Sequence, residues 1–224
     1  MKKYIKYIGV FFALMMTLHS CQEFLEVEAP KNEIDQDLVF NDDRMAVSAL
    51  TNIYSKIRNQ GFFAGNKIGI GYLLGCYTDE LEATSTQESS FVRFYQNSVL
   101  SDDNSVSSLW IDTYNQIYNL NNVLEGLEKS VGVSTDLNTQ LRGEALTLRG
   151  VLHFYLAQTY GNVPYVMTTN YKINTTIGKQ SVSNSIAQAI DDLTKAEQLL
   201  SDVYPSNEKV RINKRNAIMT QSSL

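Results

Sequence analysis

Apolar residues recur at helical spacing along most of this chain, and the places where they do not mark its organisation. Val47, Leu50, Ile53, Tyr54 and Ile57 fall three or four apart behind a start signal at Asp42 or Asp43, and Gly61 punctuates the end. That pattern predicts a first helix. From Phe62 to Asn104 the period dissolves: Gly65, Gly69, Gly71 and Gly75 alternate with Phe62, Phe63, Tyr72, Tyr77, Phe91, Phe94 and Tyr95. Irregular segments of this length are uncommon in compact domains unless they are functional, so short helical turns and a binding surface are expected here.

Periodicity then returns. A second helix is predicted over about 105–127, its apolar face made by Val106, Leu109, Trp110, Tyr114, Ile117, Tyr118, Leu124 and Leu127, with Asn115, Asn119 and Asn122 outside it. A third is predicted over about 138–160, closed by Gly161 as a left-handed cap and by Pro164. Residues 163–167 read as extended. A fourth helix over 183–200 shows Ile186, Ile190, Leu193, Ala196 and Leu200, with Pro205 beyond it. Gly143, Gly150 and Ala157 share one stripe of the third helix and would let a neighbouring backbone approach closely. The expected fold is therefore all-α, a tetratricopeptide-like helical repeat with one long irregular loop segment.

The first residues do not belong to that fold. Lys2, Lys3 and Lys6 precede an apolar run from Tyr7 to Leu18, which reads as a secretory signal over 1–20. The run is too short to span a bilayer, which takes about 20 apolar residues. Leu18-His19-Ser20-Cys21 resembles the lipobox of bacterial lipoproteins and predicts lipidation of Cys21. Polar, acidic residues follow, so 21–34 reads as a lipidated tether and 35–224 as the helical domain. Several acyl chains hold a protein on a membrane where one alone would be marginal.

Composition narrows the chemistry. Loss of the three leader lysines takes the formal charge from −5 to −8, which leaves no electrostatic footprint for nucleic acid. Beyond Cys21 only Cys76 remains, so no internal disulfide is expected. His153 is the one histidine after the leader and there is no Cys-x-x-Cys pair, so no metal site or cofactor is predicted. The glycines at 69, 71 and 75 lack dinucleotide-loop spacing. Asp79, Glu80 and Glu82 read as a solvated acidic turn rather than a glycosidase pair, since no spacing shows the separation that hydrolysis requires. No catalytic residues are predicted.

The segment from Leu141 to Pro164, LRGEALTLRGVLHFYLAQTYGNVP, resembles the signature of the SusD/RagB family of outer-membrane nutrient-binding lipoproteins. The residues that carry it are Arg142, Gly143, Arg149, Gly150, Tyr160, Gly161, Asn162 and Pro164. The start of the mature chain, Cys21-Gln-Glu-Phe-Leu-Glu, and the acidic Tyr77-Thr-Asp-Glu80 are also similar to family features. The resemblance implies a surface-exposed lipoprotein, anchored in the outer membrane and facing outwards. It would bind a glycan or another nutrient and assist import through a SusC-type TonB-dependent transporter, without being an enzyme. The signature marks the scaffold rather than the ligand site, and its arginines read first as helix-surface or inter-helix ion-pair residues. Sugar stacking on aromatic rings is physically apt, and the candidates are Phe63, Tyr72, Tyr77, Phe91 and Tyr95. An interaction scaffold that binds only protein is the alternative. Family members are about twice this length, and 215–224 has little apolar periodicity, which predicts a truncated or frame-interrupted and inactive product as a third reading.

Overall fold

The computed structural model describes residues 39–82, 90–205 and 209–224; the predicted leader, Cys21 and the tether lie outside the described residues. Among the described residues the regular elements are helices: α1 (Asp43–Asn59), α2 (Ile70–Tyr77), α3 (Ser90–Tyr95), α4 (Asn104–Lys129), α5 (Thr135–Tyr160), α6 (Tyr171–Asn174), α7 (Val182–Leu199) and α8 (Lys214–Ser223). The all-α expectation holds, and the irregular segment carries the short helices α2 and α3.

Each start has a chemical reason. The Asp42 carboxylate accepts from the backbone N–H groups of Arg44 and Met45 and caps α1. Asp103 does the same for α4 through Ser105. The cap side chain takes up donors that the first helical turn cannot satisfy. α8 begins at a reciprocal capping box between Asn213 and Asn216. The apolar pattern gives little sign of this helix; capping and the burial of Ala217 against α7 supply what amphipathicity does not.

α5 is the centre of the packing. The short connection 130–134 returns the chain from α4 to α5, and Asn138 donates to the Leu127 carbonyl at 2.8 Å to close that corner. α5 then packs on α4 and on α7, α7 packs on α8, and α1 lies against α4 and α5. The main core includes Leu50, Ile53, Phe62, Ile117, Leu120, Leu141, Leu152 and Leu156. A smaller cluster joins Leu146, Ala196, Leu200 and Ala217.

The contact between α5 and α7 is intimate because of the small-residue stripe. A Cβ at Gly150 would stand 3.0 Å from the Ala189 carbonyl oxygen, and one at Gly143 would stand 2.6 Å from Leu200. This approach changes the buried face of α7 from the predicted one. Ser185, Ala189 and Asp192 face inwards with Leu193 and Ala196, whereas Ile186 and Ile190 are only half-buried. Large side chains would hold the two backbones apart, so small ones take the contact.

α5 stops at Gly161, whose φ of 75° and ψ of −126° put it at positive φ but not in the left-handed helical basin expected for the cap. Its N–H still closes the helix on the Ala157 carbonyl at 3.0 Å. The chain leaves extended, as predicted, and an isolated antiparallel bridge pairs Val163 with Gln180.

Candidate functional site

The candidate site lies where α2, α3 and the first turns of α4 meet. Gly61, at φ 71°, turns the chain after α1, and Gln116 of α4 donates to the Gln60 carbonyl at 2.9 Å. Phe62 is then buried against Tyr155 and Tyr160 of α5. α2 is thereby fixed beside α4, and the Ile70 N–H returns to the Phe62 carbonyl at 3.0 Å.

Asp103 fastens α3 to the start of α4. Its buried carboxylate accepts from Arg93 Nε, from Ser90 Oγ at 3.1 Å and from Ser105 Oγ at 2.6 Å. The Arg93 hydrogen bond, reinforced by the serines and against the effect of burial, holds the Asp103 carboxyl well below the usual carboxylate range. Ser90 and Ser105 also line a pocket of about 340 Å³. Phe91, Leu73 and Leu109 give that pocket apolar surface, while Lys67, Asn104, Ser108 and Asp112 give it donors and acceptors. A small-ligand site commonly has this make-up, an apolar lining with a few placed polar groups.

The five predicted aromatics do not form one platform. Phe91 lines the pocket, and Tyr72 meets it edge to face at a centroid distance of 6.4 Å. Tyr77 lines a separate apolar cleft of about 260 Å³ together with Tyr160. Tyr72 and Tyr77 are five positions apart, which sends them to different faces of α2. Phe63, 37% exposed, packs edge to face on Tyr155 at 4.8 Å. Tyr95 is half-buried against the core.

The signature residues are spread over the scaffold. Arg149 makes a buried bidentate pair with Asp192 of α7 and donates to Asn121 Oδ1 of α4 at 2.9 Å. Burial disfavours the Arg149 charge, but Asp192 more than offsets it and keeps the guanidinium above its ordinary range. The Tyr165 hydroxyl donates to the same Asp192 carboxylate at 2.9 Å. His153 stacks on Tyr165 with centroids 3.8 Å apart. Its Nδ1 donates to the Arg149 carbonyl at 3.1 Å, because Nε2 must accept the Val166 N–H at 3.0 Å. Complete burial pushes the His153 pKa down to about 3. Both ring nitrogens are thus occupied, and the ring is a neutral structural group.

The remaining signature residues follow suit. The Tyr160 hydroxyl donates to the Val106 carbonyl at 2.6 Å, and the Pro164 carbonyl accepts from Tyr114 at 2.7 Å. Asn162 is exposed at the turn. Arg142 lines a groove between α4, α5 and α7.

A third buried carboxylate escaped sequence reasoning. Glu144 accepts from Tyr54 of α1 at 2.7 Å, from Gln140 at 2.8 Å, and from Arg211 Nε and Nη2 at 2.7 and 2.8 Å. Its signal was an acid between Gly143 and Ala145 on the packed side of α5, but Arg211 and Tyr54, two of its partners, lie 67 and 90 residues away. Asp192, beside Leu193 on the inner face of α7, was legible in the same way. Among the described residues no cluster of three or more His, Cys, Asp or Glu side chains is placed to hold a metal ion. No described helix is long and apolar enough to cross a membrane.

Fold and site together define a class: an all-α, tetratricopeptide-like scaffold with a small mixed pocket. Residues 23–223 match the SusD-like family described as starch-binding and associating with the outer membrane. The chain belongs to that family. A SusD-like protein of Formosa agariphila is 22% identical over 225 residues, covering 98% of this chain and 42% of the relative. A SusD homologue of Bacteroides thetaiotaomicron superposes with a TM-score of 0.70 at 22% identity, over 86% of this chain and 37% of its own. A SusD superfamily protein of Bacteroides vulgatus gives 0.66 at 23% identity, over 82% and 39%. A laminarin-binding SusD-like protein gives 0.68 at 19% identity, over 82% and 40%. The chain therefore spans about two fifths of the length of these relatives.

Proposed function

We propose that this chain binds a saccharide at the pocket beside Phe91, as part of a non-catalytic capture lipoprotein on the outer face of the outer membrane. Membership of a family described as starch-binding and outer-membrane-associated is the observation that carries this reading. The pocket chemistry supports it: a flat Phe91 ring suits the apolar face of a pyranose, and Asn104, Ser108 and Asp112 suit its hydroxyls. Lipidation at Cys21 supplies the anchor, and a SusC-type TonB-dependent transporter is the partner that receives the nutrient. Among the described residues that line the pocket Asp112 is the one acid, which favours binding over paired-carboxylate hydrolysis.

Calorimetry of the detergent-solubilised full chain against maltooligosaccharides and laminarin oligosaccharides tests the reading. Saturable binding to one of them, without release of shorter sugars, is the expected result. Heat no greater than dilution for every saccharide offered overturns it. Metabolic labelling with an alkyne fatty acid checks the anchor: label is expected on the wild type and absent from Cys21→Ala.

A further inference from the structure

Where α3 meets α4, the wall of the Phe91 pocket carries two half-buried serines, Ser90 and Ser105. Asp103 lies behind that wall, its side chain shut off from solvent. Ser90 Oγ stands 3.1 Å and Ser105 Oγ 2.6 Å from the same carboxylate oxygen, Asp103 Oδ1. Arg93 Nε donates to the other oxygen and holds the Asp103 carboxyl well below the usual range, so it is ionised.

An ionised carboxylate has lone pairs and no proton to give, which forces the direction of both bonds: each serine donates. A hydroxyl has one proton, and in both serines it is spent on Asp103. What Ser90 and Ser105 keep for a ligand is therefore lone pairs. Ser90 shares one of its own with Arg93 Nη2 at 3.4 Å. Asp112, two turns further along α4, adds a carboxylate that also accepts. The donors of the lining, Lys67, Asn104 and Ser108, are exposed, so water serves them when a ligand does not. A ligand group that covers the half-buried serines without donating leaves their lone pairs dry and unmatched, which is the larger penalty.

We propose that Ser90, Ser105 and Asp112 make this wall a reader of free sugar hydroxyls. It selects neutral saccharides whose hydroxyl groups donate to it, and rejects those with an ether, ester or sulfate in the same place. An oxygen that can only accept sets lone pair against lone pair there, and a sulfate also meets the Asp112 charge. The saccharide class rests on the function proposed above; the direction of reading rests on the geometry around Asp103.

Titration of the detergent-solubilised full chain with maltotriose and laminaritriose tests this, beside analogues with one hydroxyl at a time replaced by fluorine. Fluorine is close to a hydroxyl in size and cannot donate. In the wild type, fluorine at one or more positions is expected to lower affinity about fivefold or more. In the double variant Ser90→Ala with Ser105→Ala, the parent sugar binds more weakly and the same fluorine costs less than about twofold. Asp103 keeps Arg93 and the Ser105 N–H at 2.9 Å in that variant, so α4 stays capped. Weakening through altered structure alone leaves the fluorine penalty as large as in the wild type, and that result overturns the inference. Parent-like affinity of the wild type for every fluorinated analogue overturns it too, while saturable binding of the parent sugar keeps the proposed function. Absence of binding by either parent sugar removes that function and this inference with it.

Discussion

Arg149 of α5 and Asp192 of α7 face each other through two hydrogen bonds, Nε to Oδ2 at 2.8 Å and Nη2 to Oδ1 at 2.6 Å, with side chains only 8% and 2% exposed. The pair sits beside Gly150, where a Cβ would stand 3.0 Å from the Ala189 carbonyl oxygen of α7. Asn121 joins it from α4 and Tyr165 from the extended segment, so four pieces of the chain meet on two charges. Because each Arg149 nitrogen, the Asn121 amide and the Tyr165 hydroxyl all donate to an acceptor, the arrangement fixes the register of α7 on α5.

Removing one partner strands the other. Asp192→Ala leaves the Arg149 charge and the Tyr165 hydroxyl buried without their acceptor, and is expected to destabilise the fold by about 3–5 kcal/mol. The double change Arg149→Met with Asp192→Leu removes both charges and recovers much of that loss. Urea unfolding followed by circular dichroism measures both. A single-mutant loss under about 1 kcal/mol counts against the network as a structural hub.

The neutral His153 makes stability acid-sensitive. Its folded pKa of about 3 lies below the ordinary value of 6.5, so the unfolded chain takes up a proton that the fold refuses. Stability from this group is therefore full above about pH 6.5 and falls as pH drops towards 3, with a slope approaching about 1.4 kcal/mol per pH unit. Asp103 adds a second loss below its ordinary value of 3.8, since its folded carboxyl titrates lower still. Denaturant midpoints at pH 7.5, 6 and 5 check the first window. A proton NMR titration is expected to show no His153 transition between pH 5.5 and 8 in the folded protein.

Sequence periodicity carried the long helices because each has a face that must be dry. Leu50, Ile53 and Ile57 of α1, and Leu109, Ile117 and Leu127 of α4, were legible for that reason and are buried. What was not legible depended on partners far away in the chain. Glu144 looks like a surface acid until Tyr54 and Arg211 arrive beside it. The buried face of α7 shifted because Gly150 admits Ala189, which no local pattern in α7 announces. The aromatics of 62–95 gave the neighbourhood of the candidate pocket, but α2 distributes its rings over different faces, and only tertiary packing put Phe91 at the lining.

Gly161 offers a test of backbone strain without a packing contribution. A Cβ built there meets nothing within 4 Å, yet φ is 75° and ψ is −126°. Gly161→Ala is therefore expected to destabilise by about 1–3 kcal/mol through conformation alone. Thermal unfolding measures it. A stability equal to wild type places the turn in another backbone conformation.

The Phe91 pocket makes a contrast with Tyr77 that separates the two clefts. Phe91 lines the pocket that also holds Asn104, Ser108 and Asp112, whereas Tyr77 lines the apolar cleft with Tyr160. Loss of an aromatic stacking partner is worth about 0.5–1.5 kcal/mol beyond area, so Phe91→Ala is expected to weaken saccharide binding about threefold to tenfold. Asp112→Asn keeps the shape and removes the charge that accepts from hydroxyls, and weakens binding to a similar degree. Tyr77→Ala leaves affinity within twofold of wild type, because its ring contributes to a different surface. Calorimetric titration of the three variants decides the assignment. A large loss in Tyr77→Ala with none in Phe91→Ala moves the saccharide site to the cleft beside Tyr160.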